Sequence, residues 1–338
     1  MTPRDRVWAA LQGEALDRPP VSFWGHSYHR ESSAGDLVEA TLEFHREYAW
    51  DWVKLNPRKH YHAEPWGVSY RYSGIANQKP VLEAWPVHGA ADWAAIGGRA
   101  HDGGALGEQI EAVRMLRKRL PADVPMIETV FTPLAVLGEM VAEPGELRLH
   151  MRMNPVAVRA ALEAVTATFE KFVRECVRAG AEGIYLATVD WASRDLLSPE
   201  EYREWARPFD LRVLAAAAGA PFNVLHVCKR RNLLLELADY PVSAFSWDAN
   251  DPLNPTLAEA LPRLAGAAMG GISFDASLSA PDPERFVAEY RRALGETGGR
   301  RWLTAPGCSI PPSTSPVNLK TIRSAALAAR LAEEPLSD

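Results

Sequence analysis

Cysteine is scarce: a chain of 338 residues contains three. So small and odd a number builds no disulfide framework, and thiols left free call for a reducing compartment. Long apolar runs are missing too. No stretch approaches the roughly 20 residues needed to cross a bilayer, so no membrane partner is expected. The opening Met1-Thr2-Pro3-Arg4-Asp5-Arg6 has no apolar stretch and no small-residue cleavage site, so the expectation is a cytoplasmic protein without a signal peptide. Positive charge is in deficit: the formal net charge is −6, which gives no electrostatic reason to expect nucleic acid. Low-complexity linkers and internal repeats are absent, and a single domain over residues 1–338 is expected.

The composition that remains is that of a globular protein, with 47% hydrophobic and 24% charged residues. Short apolar, β-rich runs alternate with amphipathic stretches. The spacing predicts strands over residues 20–25, 52–56, 125–131, 183–189, 222–228, 244–248, 267–273 and 301–306. Helices are predicted over 155–179, 199–218, 254–264, 283–294 and 316–331, several opened by a cap or a first-turn proline, as in Ser198-Pro199-Glu200 and Asp282-Pro283-Glu284. Eight strands, most followed by a helix, make the expected fold an α/β (β/α)₈ TIM barrel. A doubly wound sheet is the alternative, disfavoured because no strand runs into a Gly-x-Gly-x-x-Gly turn. Residues 61–104, rich in Trp, Tyr, Gly and Pro, interrupt the alternation and read as a hairpin-bearing insertion over the barrel mouth.

Two of the three cysteines stand at predicted strand ends. One lies in Leu225-His226-Val227-Cys228-Lys229, the other in Ala305-Pro306-Gly307-Cys308-Ser309. Residues two apart on a strand point the same way, so His226 and Cys228 can share one ion. One imidazole and two thiolates are a zinc ligand set, and three protein ligands with an open position are the catalytic arrangement. His226, Cys228 and Cys308 are therefore the candidate metal ligands, with Zn2+ as the cofactor. Cys176, inside a predicted helix, reads as a buried small hydrophobe.

In such a barrel the chemistry sits at the C-terminal strand ends. Three carboxylates fall there and are the candidate catalytic residues: Glu128, Asp190 and Asp248. Glu128 is flanked by apolar residues, and burying a carboxylate is costly without a partner. Asp190 reads as a substrate contact or a cap. Asp248 is a candidate fourth ligand, or equally a cap or a partner for Arg230 or Arg231. His26, His29, His60 and His62 gather near the mouth, where a second metal site competes with plain solvation. Trp24, Tyr28, Tyr61 and Trp66 read as pocket walls or as core.

Several segments resemble the uroporphyrinogen decarboxylase superfamily. They are Pro3-Arg4-Asp5-Arg6-Val7 with Asp17-Arg18-Pro19-Pro20-Val21, Thr188-Val189-Asp190 with Leu197-Ser198-Pro199-Glu200-Glu201-Tyr202, and the closing segment from Ala305 to Leu319. The resemblance spans nearly the whole chain and implies a (β/α)₈ barrel. Decarboxylases of the family carry Arg-Gln-Ala-Gly-Arg-Tyr after the first strand and Gly-His-Gly near the end. Here Trp24-Gly25-His26-Ser27-Tyr28-His29-Arg30 and Gly307-Cys308-Ser309 stand instead. The zinc-dependent corrinoid methyltransferase branch carries His-x-Cys and a later Cys, which His226, Cys228 and Cys308 match. That branch implies methyl transfer between a methylcobalamin-type corrinoid on a partner protein and a small thiol acceptor. A decarboxylase or lyase using Arg58 and Lys59 is one alternative. A non-catalytic zinc- or corrinoid-binding protein is the other.

Overall fold

The computed structural model describes residues 1–329, and the alternation of strand and helix runs through them. In chain order the strands are β1 (Val53–Leu55), β2 (Ser69–Arg71), β3 (Val81–Ala84), β4 (Met126–Phe131), β5 (Ile184–Ala187), β6 (Val224–His226), β7 (Ala244–Ser246), β8 (Ala267–Ile272) and β9 (Trp302–Pro306). Seven of them form one parallel sheet in the order β1-β4-β5-β6-β7-β8-β9. Each is buried on both faces, which is why the strands read as near-continuous apolar runs.

The sheet is curled. Trp52, Ile127, Tyr185, Val224, Ala244, Met269 and Leu303, from around the whole strand order, join a single inner cluster. The alternate residues Leu55, Met126, Leu186, Leu225, Phe245 and Ile272 belong instead to the outer cluster that the helices cover. The longest helix, Pro155–Ala179, shows how the outer layer is made. Asn154 caps it, Pro155 opens it, and Gly180 ends it in the left-handed region at φ 115°. Its buried stripe Val158, Leu162, Val165, Phe169, Phe172 and Cys176 follows the helical repeat, so Cys176 is a packing residue.

The predicted strand over 20–25 is not a regular strand. It makes two isolated parallel bridges, Val21 to Thr304 and Gly25 to Ile310. On the β1 side it receives a bond from the N–H of Asp51 to the carbonyl of Val21. Pro19 and Pro20 offer no N–H, and the N–H of Val21 is spent on the Asp51 carboxylate at 2.8 Å. That carboxylate is buried and also holds Arg6 and Arg18, so a side chain occupies donors that a ladder would use.

Other departures have equally local causes. The helix expected over 199–218 breaks at Ala206 into Pro199–Trp205 and Arg207–Ala215, because Pro208 cannot bond back and crowds the preceding turn. The one over 254–264 shrinks to Leu257–Ala260, ahead of Pro262. The last helix is Pro316–Ala328, and its predicted end at residue 331 lies outside the described residues. The segment 61–104 does hold a hairpin, with β2 antiparallel to β3. Tyr70 on β2 hydrogen-bonds Glu139, beyond the C-terminal end of β4, so the hairpin sits on that edge of the sheet.

Candidate metal centre

His226 is the last residue of β6, and Cys228 stands two positions on. Cys308 stands two positions beyond the end of β9. Curling brings these strand ends together: one ring nitrogen and two sulfurs lie within 4.8 Å of one another, and the sulfurs are 4.0 Å apart. This group of three is the one potential metal-binding cluster of His, Cys, Asp and Glu among the described residues. The four mouth histidines form none.

Local backbone choices fix the geometry. Lys229, directly after Cys228, adopts φ 68°, a left-handed turn that a non-glycine residue holds only under constraint. Asn254 supplies the constraint, donating to the carbonyls of Lys229 at 3.0 Å and Asp248 at 3.1 Å, and so tying together the loops after β6 and β7. Before Cys308, Gly307 lies so close to Asp248 that a Cβ would stand 2.9 Å from its Cα and 3.0 Å from its Oδ1. Glycine there is a matter of close approach.

His226 is buried and oriented. Its Nδ1 is 3.2 Å from Ser246 Oγ, which is 3.0 Å from the hydroxyl of Tyr185. The Tyr185 ring stacks on the imidazole at 5.1 Å. Nε2 is buried without a hydrogen-bond partner. A neutral imidazole with Nδ1–H donated to Ser246 would leave Nε2 a bare lone pair. The two sulfurs compete for protons. The Cys308 thiol is held well below its ordinary value because its thiolate accepts a bond from Cys228 and is stabilised by His226, whereas Cys228 is driven up by the same contact and by burial.

A metal fits these residues. Two Zn–S bonds of about 2.3 Å at a tetrahedral angle put the sulfurs about 3.8 Å apart, close to the observed separation. A His226 ring nitrogen is the third donor, and Nε2 is the one without a hydrogen-bond partner.

The three carboxylates fare differently. Asp248 lies against Gly307 with its pKa raised chiefly by burial, but Oδ1 accepts the N–H of Asn250 and the residue is outside the three-donor group. Asp190 pairs with Lys229 at 2.7 Å, beside the cluster. Glu128 alternates with the inward Ile127 and so faces the helix layer, near Tyr61 and Cys176. It is buried with both oxygens unbonded, and burial raises its pKa well above the carboxylate range. It is not brought to the cluster. Arg58 is held by Glu64 and Glu108.

Sequence reasoning missed Ser246, Asn254 and Lys54. Lys54 sits in the middle of β1, buried, on the same strand face as Trp52. A lysine within an apolar strand was the available signal.

Together these features define an α/β protein with a soft-donor cluster at the C-terminal edge of a curled parallel sheet. The chain belongs to the uroporphyrinogen decarboxylase (URO-D) family, whose model matches residues 2–328. It is 25% identical over 340 residues to a methylcobamide:CoM methyltransferase (MtaA) of Methanosarcina barkeri, covering 95% of this chain and 96% of the relative. It is 28% identical over 216 residues to a uroporphyrinogen decarboxylase of Geobacter sp. (strain M21), covering 61% of each. Among solved structures, a methyltransferase from Methanosarcina mazei superposes with a TM-score of 0.81 at 22% identity, over 96% of this chain and 98% of that one. A B12-independent methionine synthase from Shewanella sp. W3-18-1 superposes with a TM-score of 0.63 at 12% identity, over 92% of this chain and 97% of that one, a likeness of fold.

Proposed function

We propose that this protein is a zinc-dependent methyltransferase that moves a methyl group between a corrinoid carried by a partner protein and a small thiol acceptor. It acts from one (β/α)₈ barrel domain, completed by the irregular segment 20–25, with residues 61–104 as an insertion at the mouth. The observation that carries the reading is the convergence of a His226 ring nitrogen with the sulfurs of Cys228 and Cys308 within 4.8 Å. The near full-length likeness to methylcobamide:CoM methyltransferases supports the corrinoid donor and the thiol acceptor.

His226, Cys228 and Cys308 would hold the metal, and Asp248, which lies against Gly307, would turn in to complete the set when no acceptor is present. When bound, zinc supplies positive charge that keeps an acceptor sulfur deprotonated at neutral pH. The residues do the rest. Ser246 and Tyr185 fix the His226 ring. The two cysteine sulfurs donate enough charge to leave an acceptor thiolate nucleophilic. The apolar inner cluster excludes water, and Asp190, paired with Lys229 next to Cys228, would contact the substrate. Transfer to the thiol would form one sulfur–carbon bond and break one cobalt–carbon bond, whose electron pair stays on the partner's corrinoid, and the thiol proton would pass to solvent when the acceptor binds. Glu128, buried behind β4, acts on the barrel wall rather than on the reacting atoms. The decarboxylase alternative loses a free cation, because Glu64 and Glu108 neutralise Arg58.

Metal analysis of the purified protein should give about one zinc per chain, as a three-ligand site of this kind binds one ion. Free methylcobalamin should be demethylated only when a thiol is added. Cys308→Ala should lose both zinc and transfer, while Cys176→Ala keeps both. Full transfer by the metal-free Cys308→Ala protein would overturn the scheme.

A further inference from the structure

Lys54 is a buried ammonium that the metal site does not use. It is 5% exposed. Its Nζ donates to Asn56 Oδ1 at 2.6 Å and lies over two aromatic faces, Tyr185 at 4.6 Å and Trp24 at 5.5 Å. It makes no ion pair among the described residues. A buried cation without a counter-ion costs several kcal/mol, and structural lysines escape that cost by reaching solvent. Here the side chain is instead held inward.

What surrounds it points to a ligand. Tyr185, beneath the ammonium, is the ring that stacks on His226. Burial pulls the Lys54 pKa down to about 7, and of the charges that favour the ammonium Cys308 acts most strongly. Asn56 Oδ1, which receives the Lys54 proton, also receives the hydroxyl of Ser309, next to Cys308. A cavity of about 350 Å³ opens onto Lys54 and Asn56, with Trp24, Gly25, His26 and Ile310 also in its lining. One wall therefore presents a cation, and the cavity lies alongside the segment that carries Cys308.

The geometry points to Lys54 as the residue that selects the acceptor by charge: it receives an anionic group, a carboxylate or sulfonate, carried a few atoms from the acceptor sulfur. The assignment rests on the thiol-acceptor reading above. An anionic acceptor supplies the missing counter-ion, and its negative charge is what separates it from neutral thiols of equal size. Asn56 positions the ammonium, and the Tyr185 and Trp24 faces favour its charged form, which the incoming anion completes.

The test compares two probes that differ only in charge, 3-mercaptopropionate and 3-mercaptopropionamide. Their binding is read from the sulfur-to-metal charge-transfer band of the cobalt(II)-substituted protein, which needs no corrinoid and no turnover. Lys54→Met keeps the aliphatic bulk and removes the charge, and Lys54→Gln is a second variant in case the first fails to fold. Metal stoichiometry should remain that of the parent protein. The variants should bind 3-mercaptopropionate about 10- to 100-fold more weakly, the loss of one hydrogen-bonded charge contact, and 3-mercaptopropionamide within about 3-fold of the parent. Lys54→Arg should recover part of the lost affinity. Equal weakening for both thiols, no weakening for either, or failure of the parent protein to bind 3-mercaptopropionate would overturn the assignment. Charge-dependent binding without methylcobalamin demethylation would instead leave Lys54 in place and remove the methyl-transfer reading.

Discussion

Ser246 Oγ stands 3.2 Å from His226 Nδ1, one strand away across the parallel pair β6–β7, whose register sets His226 opposite Ser246. The serine is itself buried and shares its hydroxyl with Tyr185. It therefore fixes which way the ring faces, and by accepting a hydrogen bond from Nδ1–H it would leave Nε2 bare.

From that contact, Ser246→Ala should weaken zinc binding about 10- to 100-fold, the usual effect of removing a group that orients a metal-bound histidine. Competition with a chromophoric chelator measures it, and far-UV circular dichroism should show the fold unchanged. Parent-like zinc affinity would mean that stacking on Tyr185 alone orients the ring.

Gly307 is the second pressure point. A Cβ there would press on the Cα, Cβ and carboxylate of Asp248, and the first two cannot swing aside. Gly307→Ala should push the two strand ends apart, cost about 1–3 kcal/mol of stability as overpacking does, and lower zinc occupancy. Thermal melts and metal analysis on the same sample check both effects. A stable variant with full zinc content would show that the Cys308 turn tolerates displacement.

Asp210 gives a pH dependence unconnected with the metal. Its carboxyl is buried beneath Tyr202 and Tyr240, whose hydroxyls donate to Oδ2 at 2.8 Å and 3.1 Å, while Oδ1 has no partner. Burial lifts its pKa to about 7, against an ordinary 3.8. A carboxyl whose pKa rises on folding favours the folded state fully below its unfolded pKa, and that contribution fades as pH climbs through the folded value. Stability contributed by Asp210 should therefore fall between about pH 4 and pH 7 and stay flat above. Asp210→Asn, which can still accept both tyrosine protons, should remove that slope. Urea denaturation across the range measures it, and a parent slope that survives the substitution would assign it elsewhere.

Much of the fold was legible because its signals are local. Asn154-Pro155 at one end and Gly180 at the other bracket the long helix, and its apolar stripe follows the helical repeat. Pro208 and Pro262 are visible too, and they cut the helices at Ala206 and after Ala260, where the apolar periodicity alone runs on. The strand over 20–25 looked like its neighbours. Whether it forms a ladder depends on Asp51, a side chain that competes for the same N–H.

The candidate site divides along the same line. That His226 and Cys228 share a face follows from their spacing alone, since alternation along a strand needs no partner, and the order of two soft donors before a third beside a glycine is written in the chain. That Cys308 meets them, that Glu128 turns away from them, and that Ser246, Asn254 and Lys54 stand around them are consequences of folding. Those outcomes depend on sheet register and curl, which arise from pairings between residues far apart in the chain. No short window of residues contains the partners that compete for each hydrogen bond, and so none can settle which of them wins.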